Sequence, residues 1–160
     1  MRVAYEVNVI TPYLLVKAAA PAMRDRGAGW IVNIASVIAD PVPPGEKRGG
    51  QFARSSTYAP SKAALNRLTE SLAAELAGEG IAVNAVAPEM AVATEGATAM
   101  MNLPPEWLEP IEALAEASLA LATCDPTIES GLVVKSLSYL RERGRKIQSL
   151  DGRGPLESET

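Results

Sequence analysis

Hydrophobic and polar residues follow two patterns along this chain: long stretches with helical spacing, and short runs that are mostly apolar. Residues 3–24 place apolar side chains three and four positions apart, which predicts a helix ending near Gly27. Its apolar positions are Val7, Ile10, Leu14, Leu15 and Ala18. Pro12 and Pro21 fall inside this stretch, and Pro12 either kinks the helix or marks its first turn. Residues 58–77 predict a second helix, whose apolar stripe is Leu65, Leu68, Leu72 and Leu76.

The short apolar runs predict three buried strands, at residues 30–35, 81–87 and 132–134. Further helical segments are predicted at 106–123 and 137–143. Helices alternate with strands, and this order predicts parallel strands joined by right-handed crossovers. We therefore expect an α/β fold, an open parallel sheet with flanking helices, in a single domain over residues 1–150. The polar residues 151–160 predict a frayed tail.

Composition and charge narrow the possible functions. The 160 residues are 48% apolar but only 4% aromatic, so the core depends on alanine, valine, leucine and isoleucine. A net charge of −4, from 15 basic and 19 acidic residues, gives no general attraction to nucleic acid or to an anionic membrane. No apolar run approaches the ~20 residues that span a bilayer. We expect a cytoplasmic protein.

Cysteine and histidine usage excludes several kinds of site. Cys124 is the only cysteine, so the chain cannot form an internal disulfide, and we interpret it as a small, partly buried residue. The chain has no histidine, which excludes a Ser-His-Asp triad and the usual histidine-containing zinc sites. We predict no metal site.

Four polar residues stand where the predicted elements could bring them together. Tyr58 and Lys62 are four positions apart, so a phenol and an ammonium share one face of the second helix. Ser36 follows the first strand, and Asn8 lies in the first helix. A free phenol ionises only near pH ~10, and a neighbouring positive charge favours the ionised form. Each residue also has an ordinary interpretation. Tyr58 and Lys62 could be a surface pair, Ser36 could begin a turn, and Asn8 could be a solvent-facing amide.

The order of these residues, followed by Asn84-Ala-Val-Ala-Pro88, resembles the catalytic half of the short-chain dehydrogenase/reductase family. The resemblance implies a partial Rossmann-like, doubly wound sheet. It also implies hydride transfer between NAD or NADP and the alcohol or carbonyl group of a small molecule. By resemblance, Tyr58 is the acid/base, and Lys62 contacts the nicotinamide ribose and tunes the tyrosine. Ser36 holds the substrate oxygen, and Asn8 supports a water-linked proton relay.

The resemblance also predicts a segment that contacts the cofactor. Pro88 begins this segment, and Val92 and Thr94 correspond, one residue later than in the family, to the hydrophobic residue and the threonine that follow there. Glu89 stands where family members commonly have glycine, which predicts a different backbone path there. Together with Tyr58 and Lys62, these residues are the predicted cofactor contacts.

The chain departs from the family in lacking a glycine-rich phosphate-binding turn. The resemblance covers residues 3–135 and only the family's second half, so we expect a truncated oxidoreductase with an unpaired sheet edge and weakened cofactor binding. The alternatives are a non-catalytic remnant that acts as a dimerisation or interaction module, and an unrelated small α/β binding protein. Family members often dimerise through two long helices, which correspond to residues 3–24 and 58–77, so a homo-oligomer is predicted.

Overall fold

Three parallel strands form the main sheet in the order β1, β2, β5. They are β1 (Gly29–Ile34), β2 (Ile81–Ala87) and β5 (Val133–Lys135). The structure is a computed structural model that describes residues 1–45, 55–94 and 104–156. All three strands run in the same direction, which confirms the predicted α/β fold with a parallel sheet. Within the described residues, β1 pairs only with β2, so its other edge is open, as predicted.

Helices flank this sheet, and their bounds lie close to those predicted for the longer segments. They are α1 (Arg2–Tyr5), a π-helical turn (Glu6–Ile10), α2 (Thr11–Arg26), α3 (Tyr58–Glu75), α4 (Ile111–Leu121) and α5 (Ser136–Glu142). Two short strands, β3 (Ala91–Val92) and β4 (Leu108–Glu109), pair separately, and 3-10 turns cover Val37–Ala39 and Pro105–Trp107. Gly27 ends α2 in the left-handed conformation that glycine adopts freely, as the sequence predicted.

The helix predicted over 106–123 begins later, at Ile111. Pro110 precedes it with an extended backbone, at φ −65° and ψ 139°. A residue that comes before proline is disfavoured from the helical conformation, because the proline ring crowds its backbone. Glu109 is therefore extended, and it pairs with Val92 across β3 and β4 instead of continuing a helix.

The two faces of the sheet hold separate parts of the core. Successive side chains of a strand point to opposite faces, so Ile81 and Val83 face one way and Val86 faces the other. The first cluster packs α2 and α3 on the sheet through Val16, Ala20, Leu72, Ala73 and Leu76. The second packs α4 and α5 through Ala113, Ala117, Ala120, Leu121, Tyr139 and Leu140. Three layers result, as expected for a sheet with helices on both sides.

The apolar stripe predicted on the first helix does not face this core. Val16 and Ala20 are the buried residues of α2, and they contact α3 and the sheet. The outward face, which we call the exposed helix face, consists of Val3, Val7, Ile10, Leu14 and Leu15. Helical spacing identified the helix correctly, but it could not distinguish a face that packs inside the chain from one that is left open.

The end of the chain is more ordered than its polar composition predicted. Residues 151–156 fold back on 147–149, where the Leu156 amide donates to the Ile147 carbonyl and Ser149 to Gly154. The Asp151 side chain accepts hydrogen bonds from Ser149 and from the Arg153 amide, which fixes the turn. The predicted tail therefore forms a hairpin-like turn as far as Leu156, and residues 157–160 lie outside the described residues.

No helix in the described ranges combines the length and apolar character that a membrane-spanning helix needs.

Candidate active site

The first turn of α3 lies against the carboxyl end of β1. Tyr58 is the first residue of α3, and Lys62 follows one turn later with its ammonium 5.7 Å from the centre of the Tyr58 ring. The Lys62 ammonium also donates a 2.7 Å hydrogen bond to the backbone carbonyl of Ile34, the last residue of β1. The predicted phenol–ammonium pair is therefore present on one helix face, and Lys62 attaches it to the sheet edge.

Asn8 reaches the same turn from the first helix. Its side-chain amide donates a 2.9 Å hydrogen bond to the Ser61 hydroxyl. That hydroxyl, which is fully buried, donates to the Tyr58 carbonyl at 2.7 Å. Asn8 lies in the π-helical turn, and Pro12, four residues on, has no N–H to donate to its carbonyl. The helix is therefore irregular at Asn8, the residue predicted to be functional. Single π-helical turns within α-helices frequently occur at functional sites.

Ser36 lies two residues beyond β1, at the same edge of the sheet. It begins the 3-10 turn Val37–Ala39, and its hydroxyl accepts a hydrogen bond from the Ile38 amide at 3.4 Å. The ordinary interpretation of Ser36 as the start of a turn is thus observed, and its catalytic role stays a prediction. The turn packs against α3, the helix that begins with Tyr58.

The parallel register brings the end of β2 to this edge as well. The Ala35 amide donates to the Val86 carbonyl, so Ser36 and Pro88 follow neighbouring strands at the same level of the sheet. Pro88 begins the cofactor segment, defined here as residues 88–94, in which Val92 lies on β3 and the Thr94 amide donates to the Val92 carbonyl. The structure thus places the start of this segment at the same edge of the sheet as Ile34, to which Lys62 bonds.

Glu89 occupies the position of the family's glycine without backbone strain. Throughout the described residues, no residue other than glycine has a positive φ. The Glu89 carboxylate accepts hydrogen bonds from both the amide and the hydroxyl of Ser138 in α5. The side chain that replaces glycine therefore links the cofactor segment to α5.

A second glutamate, Glu109, is fully buried beneath the cofactor segment. One of its carboxylate oxygens accepts from the Glu89 amide at 2.8 Å and from the Met90 amide at 3.2 Å. The other accepts from the Ser136 hydroxyl at 2.7 Å. Burial raises the pKa of the Glu109 carboxyl, the three hydrogen bonds oppose that rise, and the neighbouring charge of Glu89 adds to it.

Burial also changes the titration of two other groups. It lowers the pKa of the Lys62 ammonium, because desolvation penalises the charged form. It raises the pKa of the Cys124 thiol, an effect to which the charge of Glu129 contributes. A thiol with a raised pKa is a poor nucleophile at neutral pH, which agrees with the interpretation of Cys124 as a packing residue.

A cavity of about 490 Å³ lies at the opposite end of β2, away from these groups. Its walls are mostly alanine and glycine, and they include Ala73, Ala77, Gly80, Ile81 and Gly131. None of the predicted site residues lines it. Tyr58, by contrast, lies at the carboxyl edge of the sheet and is 42% exposed.

Sequence reasoning missed two residues of this site. Ser61 connects Asn8 to Tyr58, and Glu109 holds the cofactor segment. Ser61 lies within the quoted Tyr-Ala-Pro-Ser-Lys stretch, but a serine one position before a lysine gives no signal of its own. Glu109 is 20 positions from Glu89 along the chain, and only the β3–β4 pairing shows that they meet.

The parallel sheet and the group of polar residues at its carboxyl edge define a Rossmann-like α/β protein. The sequence model for short chain dehydrogenases matches residues 1–102, and the chain belongs to this family. It is 39% identical over 140 residues to galactitol 2-dehydrogenase (L-tagatose-forming) of Cereibacter sphaeroides, a match that covers 80% of this chain and 52% of that protein.

Two solved structures with a bound nicotinamide cofactor are similar to the chain. A 3-oxoacyl-(acyl-carrier protein) reductase with NAD from Brucella melitensis superposes with a TM-score of 0.60 at 30% identity, covering 81% of this chain and 47% of that one. ElxO with NADP superposes with a TM-score of 0.65 at 26% identity, covering 84% and 55% respectively. The chain therefore spans about half the length of the relatives that it matches.

Proposed function

We propose that this chain supplies the catalytic half of an oxidoreductase that moves hydride between NAD or NADP and the alcohol or carbonyl group of a small molecule. The observation that supports this proposal is the arrangement at the carboxyl edge of the sheet. There Lys62 lies beside Tyr58 and bonds to the end of β1, while Asn8 is hydrogen-bonded through Ser61 to Tyr58. Membership of the short chain dehydrogenase family supports the same reaction class.

The residues at this edge fit a nicotinamide cofactor. An ammonium has three N–H donors, and in the described part of the chain Lys62 uses one of them, toward Ile34. The remaining donors suit the hydroxyl groups of a ribose. When bound, the cofactor supplies the hydride acceptor or donor. Similar structures hold NAD in one case and NADP in another, so either cofactor is compatible with the proposal.

Each polar side chain has a proposed task in the proton chemistry. Tyr58 exchanges a proton with the substrate oxygen, because its partly exposed phenol can reach a bound molecule. Lys62 favours that exchange, since a cation beside a phenol stabilises the charge left when the proton departs. Ser36 orients the substrate oxygen by a hydrogen bond. Asn8 holds the first turn of α3 through Ser61 and serves the proton relay.

The phosphates of the cofactor need groups that this sequence does not contain. The usual site is a glycine-rich turn between a strand and a helix, and no such motif occurs in these 160 residues. Since the chain spans about half the length of its relatives, we infer that full affinity requires a longer parent chain or a partner. We also keep two sequence-based predictions: residues 1–150 act as one domain, and the protein is cytoplasmic.

A cofactor titration with a matched lysine variant tests the proposal. We expect NADH or NADPH to bind the chain, with an affinity that falls about tenfold in Lys62→Met, because a hydrogen bond from a charged donor is lost. Lys17→Met is the control, since Lys17 is an exposed lysine on α2, which does not contribute to the site. The measurement is the fluorescence of the reduced nicotinamide. Absent binding, or equal losses in both variants, would favour the alternative of a non-catalytic interaction module.

Oligomer formation gives a separate prediction. The exposed helix face leaves Leu15 64% exposed on a helix predicted to meet a second copy. We expect the chain to dimerise, and we expect Leu15→Glu to shift it toward monomer, because a charge would be buried in an apolar contact. Leu150→Glu is the matched control, since Leu150 is 65% exposed but lies in the C-terminal turn. Sedimentation velocity would contradict the prediction if both variants had the same mass as the original chain.

A further inference from the structure

The cofactor segment is held by hydrogen bonds to a single residue, Glu109. The Glu109 side chain accepts the amide protons of Glu89 and Met90. The Glu109 backbone pairs with Val92, and its carbonyl accepts from the Ala93 amide at 3.0 Å. Amides 89, 90 and 93 therefore all bond to the same residue, 20 to 16 positions further along the chain.

We propose that Glu109 is a positioning residue, which sets the path of the cofactor segment and so the placement of Pro88, Val92 and Thr94 relative to the Tyr58–Lys62 pair. This inference rests on the proposed function for its relevance to cofactor binding. The structural part, that the carboxylate of Glu109 holds the segment, stands on geometry alone.

The burial of Glu109 supports this role. A carboxylate that is fully removed from water is costly unless its oxygens are satisfied by hydrogen bonds, and here three donors satisfy them. Each donor is also satisfied by the carboxylate, so neither the segment nor Ser136 can move away without leaving a buried polar group unpaired. The raised pKa of Glu109 agrees with a carboxyl kept out of water.

The contacts of Glu109 and Glu89 also join the cofactor segment to α5. Ser136 donates to Glu109, and the Ser138 amide and hydroxyl donate to Glu89. The two glutamates therefore both link the segment to α5. This explains how the chain accommodates Glu89 where relatives commonly have glycine: the longer side chain has its own partners in α5, and Glu109 supports the backbone.

The test uses variants that differ in their hydrogen-bonding capacity at Glu109. Glu109→Met keeps a similar length but removes every acceptor, and Glu109→Asp keeps the charge but is too short to reach both amides. Glu109→Gln retains one acceptor oxygen and is the rescue variant. Glu116→Met is the matched control. Glu116 is also a buried glutamate, but it lies in α4 and pairs with Arg145, away from the cofactor segment.

Amide hydrogen exchange measured by NMR tests whether the Glu109 carboxylate holds the cofactor segment. We expect exchange at Glu89 and Met90 to rise about 10- to 100-fold in Glu109→Met and Glu109→Asp, and to rise little in Glu109→Gln. The Ala93 amide is an internal reference, since its partner is a backbone carbonyl that no substitution removes. A rise that includes Ala93 equally, or one of the same size in Glu116→Met, would overturn the proposal.

Titration with NADH and NADPH tests whether holding this segment matters for cofactor binding. We expect affinity to fall about tenfold in Glu109→Met, with unchanged affinity in Glu116→Met. Faster exchange at Glu89 and Met90 with unaltered cofactor affinity would overturn the positioning role. If the original chain binds neither cofactor, the proposed function fails for this chain, and the exchange pattern alone decides whether Glu109 holds the segment. Glu109→Asp keeps the experiment decisive should Glu109→Met not fold.

Discussion

Replacing the Tyr58 phenol is expected to lower kcat/KM by about 10²- to 10⁴-fold, the range typical for loss of a general acid–base group. Tyr58→Phe removes only the hydroxyl and keeps the ring that begins α3. The loss should appear mainly in kcat, because a group that transfers a proton acts in the transition state more than in binding. The assay is oxidation of a small alcohol with NAD or NADP, followed by the absorbance of the reduced cofactor, in this chain or in a longer chain that contains it.

Tyr13 provides the matched control for this experiment. It is 39% exposed against 42% for Tyr58, and it lies on α2 rather than at the sheet edge. Tyr13→Phe should leave kcat/KM within about twofold of the original value, as is usual for a surface substitution. Equal activity in Tyr58→Phe and the original chain would remove Tyr58 from the mechanism, and with it the proposed roles of Lys62 and Asn8.

Asn84→Ala is expected to cost about 2–5 kcal/mol of unfolding free energy, the largest stability effect we predict for a single polar residue. Asn84 is fully buried in β2. Its side-chain nitrogen donates to the Glu129 carbonyl, and its oxygen accepts from the Leu132 amide, both at 2.9 Å. Alanine would leave the partly buried Leu132 amide without this acceptor and the Glu129 carbonyl with only the weak donor Cys124 at 3.5 Å, and it would release the segment that leads into β5.

Denaturant unfolding, followed by circular dichroism, measures this cost. Asn66→Ala is the control, because the Asn66 side-chain oxygen is buried with no hydrogen-bond partner in the described part of the chain. Removing an unsatisfied acceptor leaves nothing newly unpaired, so stability should stay the same or rise slightly. A loss below about 1 kcal/mol in Asn84→Ala, or equal losses in both variants, would contradict the role assigned to Asn84.

Local sequence patterns correctly predicted the helices and strands whose bounds depend mainly on their own residues. The strand at residues 81–87 was predicted with the observed bounds, because a continuous apolar run closed by a proline is stable only when buried on both faces. The second long helix was predicted from Tyr58 and is observed as Tyr58–Glu75. The helix predicted over 106–123 was wrong at its start, since helical spacing gave no weight to the effect of Pro110 on Glu109.

The candidate site likewise has features that the sequence could predict and features that it could not. The Tyr58–Lys62 pair was predictable because both residues belong to one helix, whose geometry fixes their spacing. The link from Asn8 through Ser61 was not predictable, because it joins side chains 53 positions apart. The support of the cofactor segment by Glu109 was missed for the same reason, and it depends on the pairing of two strands of two residues each.

The sequence by itself therefore determined the family, the alternation of helices and strands, and the phenol–ammonium pair, since each depends on neighbours along the chain or on residue order. Only the tertiary structure decided which helix face is buried, what Asn84 and Glu109 hold, and how Ser61 connects Asn8 to Tyr58. The physical reason is that buried polar groups must find hydrogen-bond partners wherever the fold brings them. That choice is made in space, between residues that no local pattern connects.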